Sequence, residues 1–279
     1  MPTVGIVSAG QMGAALGAVL QAGGARVVTT LEGRSPRTAR LAEDAGLQLL
    51  PSLRDVTEAA DVLLSVTPPG AAKAAARALA AHASKDQIIA DLNAVSPGTM
   101  IEIAGEIKSR FVDGAISGPP PTVTRANSTT IYLAGEDAGA VAALPWGDPV
   151  ETVVVGERIG AASAVKMCTG SVYKGLTALI TQAMRTAGAN GVLDHVVRDL
   201  ARSHLADTAT VARSAPKAHR FVAEMREVAA TQEAAGLTPD LFAAIAEIYA
   251  SIAGTRLAEG FPETATDLSP AEIVARLHA

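Results

Sequence analysis

The sequence predicts an α/β protein, in which a doubly wound sheet is followed by an all-α C-terminal domain. Short β-branched runs alternate with Ala-rich helical stretches up to about residue 155. These runs have little polar–apolar alternation, which is typical of strands that are buried on both faces of a parallel sheet. From about residue 158 the strand-like runs stop, and helical periodicity continues to the C-terminus. The N-terminal half is therefore predicted to be Rossmann-like, with right-handed crossovers between its strands.

The individual elements follow from the same patterns. The predicted strands span residues 4–7, 26–30, 61–66, 87–91, 110–113 and 129–133. Strand pairing near residues 110–155 is expected to be mixed. The predicted helices of the second half span residues 160–187, 192–203, 216–235, 239–257 and 269–278. Because Gly236 precedes Thr238 and Pro239, one helix is expected to stop there and the next to begin at the proline.

Composition and charge exclude several classes of protein. The chain has 279 residues and a formal net charge of -5, so it has no basic footprint and we expect no nucleic-acid partner. The single cysteine, Cys168, permits no internal disulfide and fits a reducing cytosol. Neither a secretory leader nor an apolar stretch of about twenty residues is recognisable, so we expect a cytoplasmic protein without a membrane span. His195 and His204 have no cysteine or carboxylate at ligand spacing, so no metal is expected.

The first predicted strand leads into a glycine turn. Its sequence is Ser8-Ala9-Gly10-Gln11-Met12-Gly13, a G-x-G-x-x-G pattern with serine in place of the first glycine. In such a turn the middle glycine lets the backbone approach a pyrophosphate, and the last lets the helix pack on the strand. Free N–H groups at the helix start can bind the phosphates. We expect Ser8, Gly10, Gln11, Met12 and Gly13 to contact a dinucleotide; the alternative is a packing turn without a ligand.

The end of the second predicted strand bears on which dinucleotide would bind. Glu32 could hold the adenosine ribose of NAD, whereas Arg34 with Ser35 would suit the 2′-phosphate of NADP. Arg37 could add positive charge. The two signals conflict, and we favour NADP, with NAD as the other possibility.

Three further loops follow predicted strands, at residues 65–70, 91–97 and 113–121. They are small, polar and rich in proline. Ligands of open α/β sheets bind beyond the carboxyl ends of the strands, so the three loops are expected to share one site. Thr67, Pro68 and Asn93 are the cofactor-binding candidates in these loops.

Taken together, five stretches resemble the β-hydroxyacid dehydrogenases, a family that is similar to 6-phosphogluconate dehydrogenase. The family's G-x-G-x-M-G turn resembles residues 8–13, and its Asn-Arg-Thr-Pro motif resembles residues 33–36. Its D-x-S-T-x-S-P loop resembles residues 91–97, and its D-A-P-V-S-G-G loop resembles residues 113–119. Its catalytic lysine, on a helix with a glycine-rich entry, resembles the pattern of residues 160–167. The motifs keep the family's order and cover nearly the whole chain.

The resemblance implies an activity and a separate role for each half of the chain. It implies an NAD(P)-binding Rossmann-like domain at residues 1–157 and an all-helical substrate and dimerisation domain at residues 158–279. It implies that Lys166 is the general acid and base of a hydride transfer to or from a small carboxylate substrate. Ser117 and Gly118 would hold the carboxylate. Without the resemblance, Lys166 would be interpreted as a solvated surface lysine.

The sequence also departs from the family. Pro119, Pro120 and Pro121 replace the glycines that end the substrate loop, and Gly170 stands where the family has asparagine. Tyr173 stands where 6-phosphogluconate dehydrogenase has its acidic glutamate. These changes predict a divergent branch with its own substrate, in which Thr169 and Gly170 line the substrate site and Tyr173 orients the substrate or assists as an acid.

Several alternatives stay open at this point. An imine reductase could be built on the same scaffold, and a non-catalytic nucleotide-binding protein would explain Ser8 and Gly170. Lys174 points about 100° away from Tyr173 on a helix, so it is left out of the site. The helical half offers three more candidates, His219, Arg220 and Glu224, and whether they reach the site is open. The long Ala- and Gly-rich helix near residues 160–187 suits burial between subunits, so we expect a homodimer.

Overall fold

The computed structural model describes residues 1–126, 128–205, 207–260 and 268–278. The chain forms two compact units, Met1–Met167 and Cys168–Ala279, which are called here the Rossmann unit and the helical unit. The functional division predicted after residue 157 stays a prediction. In the described ranges, no helix has the length and apolarity that crossing a bilayer requires.

The Rossmann unit contains one eight-stranded sheet. Its strands are β1 (Thr3–Val7), β2 (Arg26–Thr30), β3 (Gln48–Leu50), β4 (Val62–Ser65), β5 (Ile88–Asp91), β6 (Arg110–Ser117), β7 (Thr129–Ala134) and β8 (Val150–Gly156). Their order in the sheet is β3-β2-β1-β4-β5-β6-β7-β8. The strands from β3 to β6 pair in parallel, β7 is antiparallel to β6, and β8 is parallel to β7. The predicted doubly wound sheet and its mixed last strands are confirmed.

Helices cover both faces of this sheet. They are α1 (Gln11–Ala22), α2 (Pro36–Asp44), α3 (Leu53–Ala59), α4 (Ala72–Ala80), α5 (Pro97–Glu106) and α6 (Ala138–Ala142). Leu63 and Leu64 are neighbours on β4 and both are fully buried, but they belong to separate core clusters. Successive strand side chains point to opposite faces, so the two clusters lie on the two sides of the sheet. This double burial explains the unalternating apolar runs.

The helical unit is built from the rest of the chain. Its helices are the continuation of α7 (Ala161–Ala189), then α8 (Leu193–Arg202), α9 (Thr208–Ser214), α10 (Ala218–Ala234), α11 (Asp240–Ala253) and α12 (Pro270–Leu277). The rings of Phe221 on α10 and Tyr249 on α11 meet edge to face, with centroids 5.2 Å apart. Tyr249 is fully buried, so this contact lies in the interior of the unit.

Several elements differ from the prediction. The edge strand β3 has two exposed residues of three and no β-branched residue, so the sequence gives it no strand signal. Strand β6 continues to Ser117, four residues past its predicted end, because Gly114–Ser117 pair with β7. The helix α9 is short and was not predicted. Pro239 is the N-cap of α11, which begins at Asp240, one residue later than expected.

Candidate active site

The glycine turn between β1 and α1 is strained at its first position and crowded at its last. Ser8 has φ 72°, in the left-handed region that glycine adopts without a Cβ penalty. A Cβ on Gly13 would lie 2.4 Å from the carbonyl oxygen of Ser8, so the close approach of α1 to the turn requires glycine there. Serine in place of the motif's first glycine therefore costs conformational energy at residue 8. The close contact between α1 and the turn is kept, because Gly13 is present.

The middle of the turn is open. Gly10 is the N-cap of α1, with extended backbone and no side-chain capping hydrogen bond. A Cβ built on Gly10 would meet no described atom within 4 Å. Gln11 and Met12, both half-buried, form the first helical turn. Because no side chain caps these N–H groups and no atom crowds Gly10, the turn fits the pyrophosphate of a dinucleotide.

The loop after β2 distinguishes its two candidate adenosine contacts. The carboxylate of Glu32 accepts a hydrogen bond from the backbone N–H of Leu53, at 3.3 Å, at the start of α3. Gly33 turns the chain with φ 67°, and the Arg34 side chain that follows is exposed. The hydroxyl of Ser35 caps α2 by accepting from the N–H of Thr38. Glu32 and Arg34 are both exposed, and the carboxylate of Glu32 has a hydrogen-bond partner in α3, the N–H of Leu53.

Asn93 joins the ends of β4 and β5. Its amide nitrogen donates to the hydroxyl of Ser65 at 3.0 Å, and its amide oxygen accepts from the N–H of Thr67 at 2.5 Å. The Asn93 side chain is 2% exposed. Its amide therefore holds the Thr67-Pro68 loop in place. The hydroxyl oxygen of Thr67 is buried and has no partner among the described residues, which makes it a group that a ligand could satisfy.

Two buried carboxylates lie next to this network. Asp91 on β5 and Asp113 on β6 are paired in register. Burial raises the pKa of Asp91 to about 7, and the charge of Asp113 adds to the increase. One Asp91 oxygen accepts from the N–H of Asn93 at 3.0 Å, and the other has no partner among the described residues. Asp91 is therefore a buried acid that titrates close to neutral pH.

Asp113 fixes the start of α7. Its carboxylate accepts hydrogen bonds from the N–H groups of Gly160, Ala162 and Ser163, at 2.8 to 3.3 Å, and from the Ser163 hydroxyl at 2.7 Å. Burial raises the pKa of Asp113, and these hydrogen bonds partly counteract the increase. The anion sits where the helix dipole favours negative charge. Lys166 lies on the same helix, three residues after Ser163, and is half-buried.

The loop after β6 is constrained at Gly118 and at Pro119. Ser117 ends β6, and Gly118 has φ 116°. A Cβ on Gly118 would lie 2.7 Å from the carbonyl oxygen of Ser128, so only glycine fits without movement. The Pro119 carbonyl accepts from the Thr129 hydroxyl at 2.6 Å, which ties the loop to β7.

The remaining site candidates lie in the helical unit. Thr169 is half-buried, Gly170 is buried and Tyr173 is 69% exposed. The roles predicted for these three residues stay predictions. Of the residues left open, His219 is exposed, Arg220 is half-buried and Glu224 is buried.

Lys174, which the sequence analysis leaves out of the catalytic site, has a specific partner in the helical unit. Its ammonium forms a buried ion pair with Glu224, and the two side chains are 16% and 8% exposed. Lys174 and Tyr173 line the same cavity in spite of their angular separation on the helix. No sequence spacing links residues 174 and 224, so helix packing alone reveals the pair. Within the part of the chain that the structure describes, no cluster of three or more His, Cys, Asp or Glu side chains could hold a metal ion.

Comparisons with known proteins agree with this architecture. Residues 3–95 match a family model described as NADP oxidoreductase, coenzyme F420-dependent. Residues 187–252 match a domain of unknown function, DUF1932. An uncharacterised 28.5 kDa protein of Methanothermus fervidus is 28% identical over 176 residues, which span 62% of this chain and 66% of that protein.

Solved structures extend the match along the chain. A conserved protein of unknown function, MTH1747, described as structurally similar to 3-hydroxyacid dehydrogenases, is 31% identical, with a TM-score of 0.63 over 90% of this chain and 96% of that one. The 3-hydroxyisobutyrate dehydrogenase of Mycobacterium tuberculosis, in complex with L-serine, is 19% identical and has a TM-score of 0.69 over 100% of both chains.

A third structure shares the fold. An imine reductase of Myxococcus stipitatus in complex with NAD+ is 17% identical, with a TM-score of 0.52 over 90% of this chain and 92% of that one. The two family-model matches and the 31% identity to MTH1747 show the family to which the chain belongs. The chain belongs to the β-hydroxyacid dehydrogenase-like family of NAD(P)-binding oxidoreductases, as a divergent branch.

Proposed function

We propose that this chain is an NADP-dependent oxidoreductase that transfers a hydride between the nicotinamide and a β-hydroxy carboxylate or the matching carbonyl acid. One observation carries the proposal. The carboxyl edge, which we define as the carboxyl ends of β1, β4, β5 and β6, bears the open turn at Gly10, the unpartnered Thr67 hydroxyl and the Gly118 turn. In open α/β sheets this edge is where ligands bind.

The cofactor side of the proposal assigns a role to each loop. The turn at Ser8, Gly10 and Gly13, with Gln11 and Met12 at the helix start, would hold the pyrophosphate. Thr67 and Pro68 would lie on the nicotinamide side, and Asn93 would hold them there through its two hydrogen bonds. When bound, the cofactor supplies or accepts the hydride.

The choice of NADP rests on the loop after β2. Glu32, the residue that would bind the ribose of NAD, accepts a hydrogen bond from Leu53, and Arg34 is exposed. A guanidinium binds a phosphate through two parallel hydrogen bonds, which suits a 2′-phosphate. Ser35 would add its hydroxyl.

For the substrate, the proposal makes Lys166 the group that gives or takes the hydroxyl proton. In the reducing direction its ammonium donates a proton to the oxygen of the carbonyl as that oxygen becomes a hydroxyl; in the oxidising direction the amine takes the proton back. The Ser117 hydroxyl and the Gly118 N–H would bind the substrate carboxylate. Thr169, Gly170 and Tyr173 would complete the substrate site. Asp113 would position Lys166 by anchoring the first turn of α7.

The test is the variant Lys166→Met in the full-length protein. A screen of β-hydroxy acids, the matching carbonyl acids and cyclic imines first identifies a substrate that the wild type turns over. The variant is then expected to lose about 10³-fold in kcat/KM, because proton transfer by a positioned group contributes this much. Its Kd for NADPH, measured by calorimetry, is expected to be unchanged. Lys108→Met, at an exposed lysine, is the matched control and is expected to keep wild-type turnover.

Two results would contradict the roles assigned here. Equal loss of NADPH binding in Lys166→Met would make Lys166 a structural or cofactor-binding residue. Turnover by Lys166→Met at the wild-type rate would remove it from the chemistry. NADPH binding with no turnover of any compound in the screen would favour a nucleotide-binding protein without catalysis.

Imine reduction is the second candidate. It is favoured by Gly170, which replaces the family's asparagine, and by the exposed Tyr173, which could serve as a different proton donor. The lysine at 166 argues for hydroxyacid chemistry. Turnover of cyclic imines with none of the hydroxy acids would decide for the imine reductase.

A further inference from the structure

Asp91 and Asp113 lie side by side beneath the loops of the carboxyl edge. They are paired in register on β5 and β6, so their side chains point to the same face of the sheet. Both residues are fully buried. Two buried carboxylates next to each other are not readily ionised together, because each charge repels the other and both have lost their water. One of the two is therefore favoured to hold a proton.

Hydrogen-bond donors decide which of the two carboxyl groups keeps its charge. Asp113 accepts from three N–H groups and one hydroxyl at the start of α7. Asp91 accepts from the N–H of Asn93, and its second oxygen has no partner among the described residues. Burial raises the pKa of Asp91 to about 7, and hydrogen bonds from Asn93 and Ser65 reduce this increase. Asp91 is therefore the carboxyl group whose charge changes in the neutral pH range.

The helices packed on this face of the sheet leave Asp113 as the adjacent charge. Ile89, two residues before Asp91, packs in one core cluster with α3, α4 and α5. These helices carry exposed ion pairs and one capping carboxylate: Arg54 with Glu58, Lys73 with Glu102, Arg77 with Glu106, and Asp55 at the cap of α3. On α7 the first titratable side chain is that of Lys166, beyond the turn that Asp113 caps. The charge that raises the pKa of Asp91 is that of Asp113.

A chain of hydrogen bonds leads from Asp91 to the loop after β4. Ser65 is paired in register with Asp91, and its hydroxyl donates to the Asp91 carboxylate. The Ser65 oxygen accepts from the amide nitrogen of Asn93 at 3.0 Å, and the Asn93 amide oxygen accepts from the N–H of Thr67 at 2.5 Å. Every donor in this chain points towards Asp91, so a negative charge on Asp91 strengthens each bond in turn. The charge of Asp91 thus acts on the Thr67 loop.

We propose that Asp91 is a positioning residue for the Thr67 loop, and that its negative charge makes the site favour the oxidised cofactor. The inference rests on the proposed function, in which Thr67 and Pro68 lie on the nicotinamide side. NADP+ and NADPH differ in the nicotinamide ring, which carries a positive charge in the oxidised form alone. Ionised Asp91 attracts that charge, whereas protonated Asp91 does not. The preference for NADP+ is therefore gained as pH rises and lost as pH falls.

The experiment compares the two forms of the cofactor on the full-length protein. Calorimetry measures the Kd values of NADP+ and NADPH at about pH 6 and about pH 8, on either side of the pKa of Asp91. The adenosine, the pyrophosphate and the 2′-phosphate are common to both nucleotides, so their own titration cancels in the ratio of the two Kd values. This ratio is expected to shift about fivefold in favour of NADP+ from the lower to the higher pH.

Variants assign the pH dependence to Asp91. Asp91→Asn is expected to give the same ratio at both pH values. Ser65→Ala removes a hydroxyl that lowers the pKa of Asp91, so the shift in the ratio is expected to occur at a higher pH. This second variant also provides the test if Asp91→Asn does not fold. Asp86→Asn, at an exposed carboxyl two residues before β5, is the matched control and is expected to keep the wild-type shift.

A measurement without cofactor tests the hydrogen-bond chain alone. In protein with isotope-labelled threonine, NMR follows the backbone N–H signal of Thr67 as the pH is raised. In the wild type this signal is expected to titrate with a midpoint of about 7, the pKa of Asp91. In Asp91→Asn the titration is expected to disappear. Asp86→Asn is again the control, with the wild-type titration.

Three results would overturn the proposal. They are a Kd ratio that is the same at both pH values in the wild type, a shift in the ratio that persists in Asp91→Asn, and a Thr67 signal that is independent of the charge at residue 91. Absence of binding by both nucleotides would instead contradict the proposed function. The Thr67 titration would then decide, without cofactor, whether Asp91 acts on this loop.

Discussion

The carboxyl edge of the sheet and the cavity of the helical unit are built in opposite ways. At the carboxyl edge, backbone conformation and small residues define the geometry, as at Ser8 and Gly118 with their positive φ angles. At the cavity, long side chains from separate helices meet: Lys174 lines it and forms an ion pair with Glu224, fifty residues away in sequence.

This difference teaches what a single sequence can reveal. A left-handed turn or a close helix contact restricts its residue type, so it leaves a recognisable local pattern. An ion pair between two helices restricts two distant positions jointly and leaves no local pattern. The following variants test whether the two regions really differ in this respect, starting with the largest expected effect.

Glu224→Gln tests the side-chain region. It leaves the buried Lys174 ammonium without its counter-ion, so the free energy of unfolding is expected to fall by roughly 3–5 kcal/mol. Urea denaturation at pH 7 measures it. Glu247→Gln, in an exposed and longer pair with Arg226, is the control and is expected to change nothing measurable. If Glu224→Gln and Glu247→Gln lower the free energy of unfolding by the same amount, the buried ion pair does not stabilise the helical unit more than an exposed one does.

Asp113→Ala tests the backbone region. It removes the acceptor of three N–H groups and one hydroxyl at the start of α7, and a loss of about 3 kcal/mol in unfolding free energy is expected. Ser269→Ala removes the exposed cap of α12 and should cost about 1 kcal/mol. If denaturation shows the two caps to be equivalent, the anchoring role of Asp113 is wrong.

Asp91, at the carboxyl edge, makes the free energy of unfolding depend on pH. Its pKa is raised by burial to about 7, so the folded protein binds a proton there that the unfolded chain, with an ordinary carboxyl, has already released. The stability due to protonated Asp91 is therefore present at acidic pH and is lost as pH rises towards and through 7. Between pH 5 and 8 this loss amounts to roughly 2–3 kcal/mol.

Asp91→Asn removes this titration while keeping an oxygen that can accept from Asn93. Urea denaturation of the variant and the wild type at pH 5, 6.5 and 8 is expected to show a flatter profile for the variant. Parallel profiles would show that Asp91 keeps an ordinary pKa in the folded protein.

Ser8→Gly has the smallest expected effect. Because Ser8 has φ 72°, glycine should relieve about 1 kcal/mol of backbone strain, offset in part by the greater freedom of the unfolded chain. Thermal denaturation should show a stability equal to or slightly above that of the wild type. Gly13→Ala is the contrasting variant: its Cβ would lie 2.4 Å from the Ser8 carbonyl, so it should destabilise the protein. A destabilised Ser8→Gly would contradict the strain argument.

The sequence was informative about the Rossmann unit for physical reasons. Apolar runs such as that of β4 are buried on both faces, so their composition alone predicts strands. The short edge strand β3 has exposed side chains and was therefore missed. At the carboxyl edge, Gly13 and Gly118 were named from their motifs, and the structure shows that a Cβ at either position would lie within 3 Å of a backbone carbonyl oxygen, at 2.4 and 2.7 Å.

The helical unit was predicted less completely. Its helices follow from periodicity, but α9, with seven residues, is too short to show it. The exclusion of Lys174 from the catalytic site stays a prediction, but the angle around one helix could not show that Lys174 and Tyr173 line the same cavity. The partner Glu224 becomes visible only when α10 is packed against α7.

The measurement that tests the central claim most directly is a calorimetric titration of the full-length protein with NADPH and NADH side by side, repeated with Arg34→Ala. If the carboxyl edge binds NADP as proposed, NADPH binds at least about tenfold more tightly than NADH, and Arg34→Ala removes that preference. Tighter binding of NADH would assign the adenosine end to Glu32, and the absence of binding by either nucleotide would contradict the account of the carboxyl edge.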